Sequence, residues 1–232
     1  MGNNKKISIM KNGPYLVSGK IPLSKVFAVV GESGFPEEWK EGEKYPDKET
    51  YSLCRCGESK NKPYCDGTHE KIYFDVTETA SSTTYLEVAK KYVGPELVLT
   101  DAEELCSIAR FCDIAGGTWR NVLRSNRPES KKIAIQTACN CPSGRLVVYD
   151  KENGKPIEPD FEPSIQLIED PQEGVSGPIW VKGKVEIFSS EEIKYEVRNR
   201  VTLCRCGNSQ NKPFCDGLHI YTKFSDGDKS LK

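Results

Sequence analysis

The sequence predicts a mainly β protein with some helix, a small α+β fold built on two copies of one β-rich unit. Three observations carry this expectation. Residues 51–74 and 201–224 align without gaps and agree at 14 of 24 positions, and internal repetition means repeated structural units. The chain holds 19 Gly and 14 Pro against a hydrophobic content of 37%, which favours turns and short strands over long helices. In the second copy Tyr195, Val197, Val201 and Leu203 alternate with Glu196, Arg198, Arg200 and Thr202, the period of a half-buried strand.

The elements follow in order. Ile7–Met10, Tyr15–Val17 and Val26–Val30 are short apolar runs between Gly and Pro, read as strands joined by turns. Residues 31–48 are charged and broken by Gly and Pro, and read as a long loop. Strand Tyr51–Leu53 enters the first repeated segment and strand Ile72–Val76 leaves it. Residues 81–92 read as a helix. Thr100-Asp101-Ala102-Glu103 has the form of a capping box, opening a helix to about Phe111 with Leu105, Ile108, Ala109 and Cys112 on its apolar face. Strands Ile133–Thr137 and Arg145–Tyr149 come next. Pro156–Pro178 reads as linker with an apolar strand at Ile165–Ile168. A weaker echo, Gly13–Gly19 against Gly177–Gly183, extends each repeat upstream. The expected division is 1–77, 78–159 and 160–232.

Within the repeat lies Cys-x-Cys-x8-Cys-Asp-Gly-x-His, as Cys54, Cys56, Cys65, His69 and again as Cys204, Cys206, Cys215, His219. The chain has two histidines, and both close this pattern. The Cys-x-Cys pair puts two thiolates within reach of one metal, and the eight-residue arm returns a third thiolate with an imidazole close behind. Soft thiolates select iron–sulfur clusters or zinc. Disulfides offer no reason to keep a His beside each Cys trio. Asp66 and Asp216 fall where helix N-caps would aim a helix dipole at an anionic ligand.

On these residues the chain resembles the CDGSH iron–sulfur family, down to Pro63-x-Cys65-Asp66-Gly67-Thr68-His69 and Pro213-x-Cys215-Asp216-Gly217-Leu218-His219. The resemblance implies a 2Fe-2S cluster on three Cys and one His in each copy, and a covalent version of the family's intertwined dimer. The family's Ser before His is Thr68 in one copy and Leu218 in the other. A hydroxyl donor toward the cluster in the first copy alone predicts a lower potential at the second centre.

Four cysteines remain: Cys106, Cys112, Cys139 and Cys141. Cys106-x5-Cys112 followed by Cys141-Pro142-Ser143-Gly144 resembles the divergent mono-cluster ferredoxin family. That resemblance implies a ferredoxin-like middle segment and a third cluster, 3Fe-4S or 4Fe-4S, on Cys106, Cys112 and Cys141 with Cys139 as a fourth ligand. The alternative is buried thiols packed as small hydrophobes.

A formal charge of −1 argues against nucleic acid or a membrane surface as partner. No run reaches the length of a spanning helix, and the opening MGNNKKISIMKNGPY lacks a signal-peptide core. Ten cysteines in a reducing compartment suit metal ligation, so the expectation is a cytoplasmic monomer with internal pseudo-twofold symmetry. Arg55, Lys60, Lys62, Arg205 and Lys212 read as a solvated rim of the cluster loops, or a dock for an acidic partner. Trp39, Trp119 and Trp180 read as packing residues. With both histidines committed to metal and no phosphate loop or catalytic triad in view, the expected role is electron transfer toward a redox partner protein, not catalysis. The alternative is cluster delivery to an apo-acceptor protein, or redox and pH sensing.

Overall fold

The computed structural model describes residues 5–231. The chain runs through β1 (Lys6–Ile9), β2 (Tyr15–Ser18), β3 (Leu23–Val30), β4 (Pro36–Lys44) and β5 (Thr50–Leu53) before the first cysteine loop. It then crosses α1 (Tyr85–Val88), β6 (Lys90–Val93), β7 (Leu97–Asp101), α2 (Thr118–Val122), α3 (Pro128–Cys139), β8 (Leu146–Asp150) and β9 (Pro156–Ile157). The last third is β10 (Ser164–Asp170), β11 (Val175–Lys182), β12 (Glu186–Phe188), β13 (Arg200–Leu203) and α4 (Leu218–Tyr221). The fold is mainly β with short helices, as expected.

The two repeats share one plan. In the first, β2 lies antiparallel between β1 and β5, with Tyr15 opposite Leu53. In the second, β11 lies antiparallel between β10 and β13, with Ile179 opposite Leu203. The strand that follows the central one in each repeat then crosses over. β3 pairs parallel with β10, Leu23 opposite Ile165, and β12 pairs parallel with β1, Ile187 opposite Ile7. The resulting sheets, β12-β1-β2-β5 and β13-β11-β10-β3-β4, each contain strands of both repeats. One apolar core serves both: Ile7, Tyr15, Val17 and Leu53 pack with Ile165, Leu167, Ile179 and Leu203. The third sheet, β6-β7-β8-β9, belongs to the middle segment, where Leu97, Leu99, Val122, Ala134 and Leu146 form a separate core.

Several local expectations give way. Residues 31–48 contain β4, because a Glu- and Lys-rich run can serve as the edge of a sheet. Ile133–Thr137 lies inside helix α3: Pro128 sits in the first turn, and Ala134, Thr137 and Ala138 bury one helical face. Thr100 and Asp101 end strand β7 instead of capping a helix, since both side chains are engaged at long range, Thr100 by Tyr85 and Asp101 by Arg145 and Trp119. Only a 3-10 turn, Glu103–Leu105, follows. The capping box is found instead at Thr84 and Glu87, and the expected 81–92 helix shrinks to α1. Ile72–Val76 is not a strand, and Tyr73 is 97% exposed. Within Pro156–Pro178 the expected strand Ile165–Ile168 lies in β10, but the stretch around it is no linker: β10 and β11 are almost wholly buried at the centre of a sheet. Of the alternating run 195–203, only β13 is strand, and its Arg200 is buried rather than outward. Trp39 stacks near Trp180 and Phe111, as packing residues should. No helix among the described residues is long and apolar enough to cross a membrane.

Candidate metal centres

Each cysteine loop is a hairpin folded by its own backbone. Cys54 N–H donates to Pro63 O (2.8 Å) and Cys65 N–H to Ser52 O (3.0 Å). The second copy repeats this with Cys204 to Pro213 O (2.9 Å) and Cys215 to Thr202 O (2.9 Å). The hairpin returns the third cysteine to the strand that precedes the first two. Gly67 and Gly217 then take φ of 83° and 87°, a left-handed turn that suits glycine, and the chain enters one short helical turn carrying the histidine.

The ligand atoms gather in pairs. Cys54 Sγ lies 3.7 Å from Cys56 Sγ, and Cys65 Sγ lies 3.3 Å from His69 Nδ1. In the second copy the distances are 3.6 Å for Cys204 and Cys206 and 3.4 Å for Cys215 and His219 Nδ1. No set closes into one tetrahedron: among the described residues only Glu169, Asp226 and Asp228 bring three candidate ligand atoms within 4.8 Å of one another. Those three carboxylates face Arg205 and Lys25 instead.

Asp66 and Asp216 do not head long helices, because the turns beyond them span three and four residues, too few for a macrodipole. Their carboxylates brace the hairpins instead. Asp66 accepts from Lys60 N–H and Thr68 N–H, and Asp216 from Gln210 N–H and Leu218 N–H. These amides, with the Thr68 hydroxyl, hold the Asp66 carboxyl well below the usual carboxylate range. Among the described residues the Thr68 hydroxyl makes no hydrogen bond to sulfur, and the sulfur donors match in the two copies: Gly67 N–H to Cys65 Sγ (3.5 Å) and Gly217 N–H to Cys215 Sγ (3.4 Å).

What differs is burial. Cys65 and His69 are partly exposed, while Cys215 and His219 are buried. Burial, helped by the Arg205 charge, pushes the His219 imidazole down to about 4.

The loop cations are not a rim. Arg55, Arg205 and Lys212 are buried, while Lys60 is exposed and Lys62 intermediate. Arg205 is fully engaged, with Glu169 at 2.7 Å and Asp226 at 2.6 Å. Arg55, its counterpart, has no carboxylate partner among the described residues. Its Nη2 donates to Val76 O at 3.3 Å, and Nε and Nη1 find no acceptor. Position 226 is Asp where the first copy has Val76, which removes the balancing charge. A buried guanidinium without a counter-ion is costly and suits a neighbouring anionic group.

Cys106, Cys112 and Cys141 line a common cavity of about 200 Å³ with Ala109, Trp119 and Arg145. Burial, with Asp113, Cys141 and Cys106 nearby, raises the Cys112 thiol well above its ordinary range. Cys139 is not at this cavity: it lies on α3, and its thiol faces Ile157 O at 3.6 Å. Three of the four middle cysteines thus line one cavity, and the expected fourth ligand, at the end of α3, faces β9 instead.

Sequence reasoning overlooked several residues that build these sites. Arg200 donates to Cys141 O (2.7 Å) and Ala138 O (2.9 Å). Tyr15 of the first repeat donates to Cys204 O (2.8 Å) in the second. Gly57 and Gly207 meet across the pseudo-twofold. A Cβ on Gly57 would lie 2.6 Å from Cys206 O, and one on Gly207 would lie 2.5 Å from Cys56 O. The glycines stood out in the repeat, but nothing local says what they touch.

Comparison with known families agrees with this geometry. Residues 12–70 and 176–220 match the family described as iron-binding zinc finger, CDGSH type. Residues 92–151 match the family described as divergent 4Fe-4S mono-cluster. Searches of curated proteins and of solved structures gave no match. The chain thus carries two segments similar to the iron-binding CDGSH type flanking one similar to the divergent 4Fe-4S mono-cluster type, a combination that points to iron–sulfur binding.

Proposed function

We propose that the chain is an electron carrier. Cys54, Cys56, Cys65 and His69 hold one 2Fe-2S cluster, Cys204, Cys206, Cys215 and His219 hold a second, and Cys106, Cys112 and Cys141 hold a third cluster of the 3Fe-4S or 4Fe-4S kind. The pairing of ligand atoms carries this reading. A mononuclear zinc site needs four ligand atoms at about 2.0–2.3 Å from one ion, whereas among the described residues no Cys/His set brings even three ligand atoms within 4.8 Å of one another, and the atoms gather two by two, as suits a pair of metals.

Bound clusters of these kinds supply one-electron oxidation and reduction. The chain's own residues set the terms. Gly67 and Gly217 amides donate to ligand sulfur and so favour added negative charge. Arg55 supplies a buried positive charge. His69 offers Nδ1 toward the Cys65 side and keeps Nε2 free, 3.9 Å from Glu70 Oε1. The proposed task is carriage rather than catalysis, with a redox protein as partner and a reducing cytoplasm as compartment. Potentiometric titration followed by absorption and EPR tests this: reversible one-electron reduction of each centre is expected, and irreversible bleaching would count against carriage.

A second reading, delivery of a cluster to an apo-acceptor, is favoured by one observation, the partial exposure of Cys65 and His69. Incubation with apo-ferredoxin separates the two. Rapid transfer of the visible chromophore from the first centre indicates delivery, and retention indicates carriage.

A further inference from the structure

We infer that the three centres form one linear relay, in which the second CDGSH centre is the middle member between the Cys106/Cys112/Cys141 site and the first CDGSH centre. This rests on the electron-carrier reading and adds to it an order and a direction of contact.

The junction between the middle site and the second centre is a side chain seated on a ligand loop. Ile108 lies between Cys106 and Cys112, and Gly217 lies between Cys215 and His219. Ile108 packs so closely on Gly217 that a Cβ there would overlap its side chain. Ile108 takes a φ of 53° and Arg110 a φ of 62°. That conformation is unfavourable for any non-glycine residue and most of all for a β-branched one, so it persists only where surroundings enforce it.

Phe111 stacks on Trp39 of β4, the edge strand of the sheet built around β10 and β11, and three further contacts tie the middle site to the second repeat. Arg110 pairs with Asp170 (2.7 Å) and with Glu173, between β10 and β11. Asn211 of the second cysteine loop donates to Glu104 O (3.0 Å). Arg200, four residues before Cys204, donates to Cys141 O (2.7 Å).

The junction between the second and first centres is the glycine contact across the pseudo-twofold, where Gly57 and Gly207 meet Cys206 and Cys56. Tyr15 adds its bond to Cys204 O.

No third pairing is found among the described residues. At Gly67, the counterpart of Gly217, a Cβ would meet none of their atoms within 4 Å. The seat that Ile108 fills on the second centre is open on the first, and Cys65 and His69 beside it are partly exposed. The first centre is therefore the terminal member that faces an external one-electron protein. One electron leaves each centre as one arrives at the next, with no bond made or broken. A one-electron reductant at one end and a one-electron acceptor at the other complete the balance.

EPR of the fully reduced, full-length holoprotein tests the order. His69→Cys and His219→Cys each keep four ligands and shift the signal of their own centre, which assigns the two CDGSH spectra. The expected result is magnetic splitting between the second centre and both others, with none between the first centre and the middle site. Ile108→Asp should abolish the splitting between the middle and second centres and leave that between the second and first. Splitting between the first centre and the middle site, or none between the middle and second in fully loaded protein, would overturn the order. Iron and sulfide content keeps the two failures apart: about four irons, two per CDGSH centre, removes the third cluster and the reading beneath the relay. Full content without the expected splitting removes the relay alone.

Discussion

His69 and His219 hold the same place in the repeat but meet different surroundings. His219 is buried, and its folded imidazole protonates only near about 4. An unfolded imidazole takes its proton near 6.5. The lowered value means His219 contributes stability that is full above pH 6.5 and is lost as pH falls toward 4, an effect of about 3 kcal/mol. His69 is reached by solvent. In a stepwise acidification followed by visible absorbance, the solvent-reached first centre should bleach at the higher pH and the buried second centre at the lower. His69→Cys should remove the first step alone. Simultaneous bleaching unaffected by either His→Cys substitution would refute imidazole ligation.

The two loop arginines separate charge from packing in the same way. Arg205→Met strands Glu169 and Asp226 in the interior, a loss of about 3–5 kcal/mol in denaturant unfolding. Arg55→Met removes a cation that pairs with no carboxylate, so stability should change little while a cluster midpoint falls by on the order of tens of millivolts. Ligand residues are legible because metal chemistry demands fixed residue types at fixed spacing. Arg55 and Arg205 are not: an identical tripeptide, Cys-Arg-Cys, precedes both environments, and the difference is made by Val76 and Asp226 far along the chain.

At the scale of elements, the cysteine hairpins are held against each other by backbone packing. Gly57 and Gly207 both have φ near 82° and carry no room for a Cβ. Gly57→Ala or Gly207→Ala should each destabilise by about 1–3 kcal/mol or more, and Gly67→Ala, with open space around it, by no more than the cost of the left-handed backbone. Equal effects at Gly57 and Gly67 in thermal unfolding would contradict the close approach of the two loops. The strands around each loop could be read from the sequence because apolar residues at Ile7, Ile9, Tyr15, Val17 and Leu53 obey period two. Helix α3 could not, since Ile133, Ile135 and Thr137 imitate a strand while its buried residues sit at helical spacing. β4 was hidden by charge; β10 and β11 were legible in part, as the apolar run Ile165–Ile168 and the echo Gly177–Gly183, while the prolines around them masked their central place in the sheet.

Across the whole molecule, strand exchange makes the two repeats inseparable. β3 completes the second sheet and β12 completes the first, so no cut between repeats leaves both sheets whole. Expressed alone, residues 160–232 should lack a dispersed NMR spectrum and a cluster chromophore, and unfolding of the intact pair of repeats should be one transition. A folded, coloured fragment would contradict the shared core. The repeat was legible in the alignment of 51–74 with 201–224, and the intrachain pseudo-dimer was what the resemblance of those segments to the CDGSH family implied. Which strands cross was not, because parallel pairing at such separation leaves no local mark. The account as a whole turns on what the paired ligand atoms hold. Metal and acid-labile sulfide analysis of anaerobically purified full-length protein tests it most directly. Two irons at each CDGSH centre and three or four in the middle predict about seven or eight irons and about eight sulfides per chain; colourless protein holding zinc and no sulfide would contradict it.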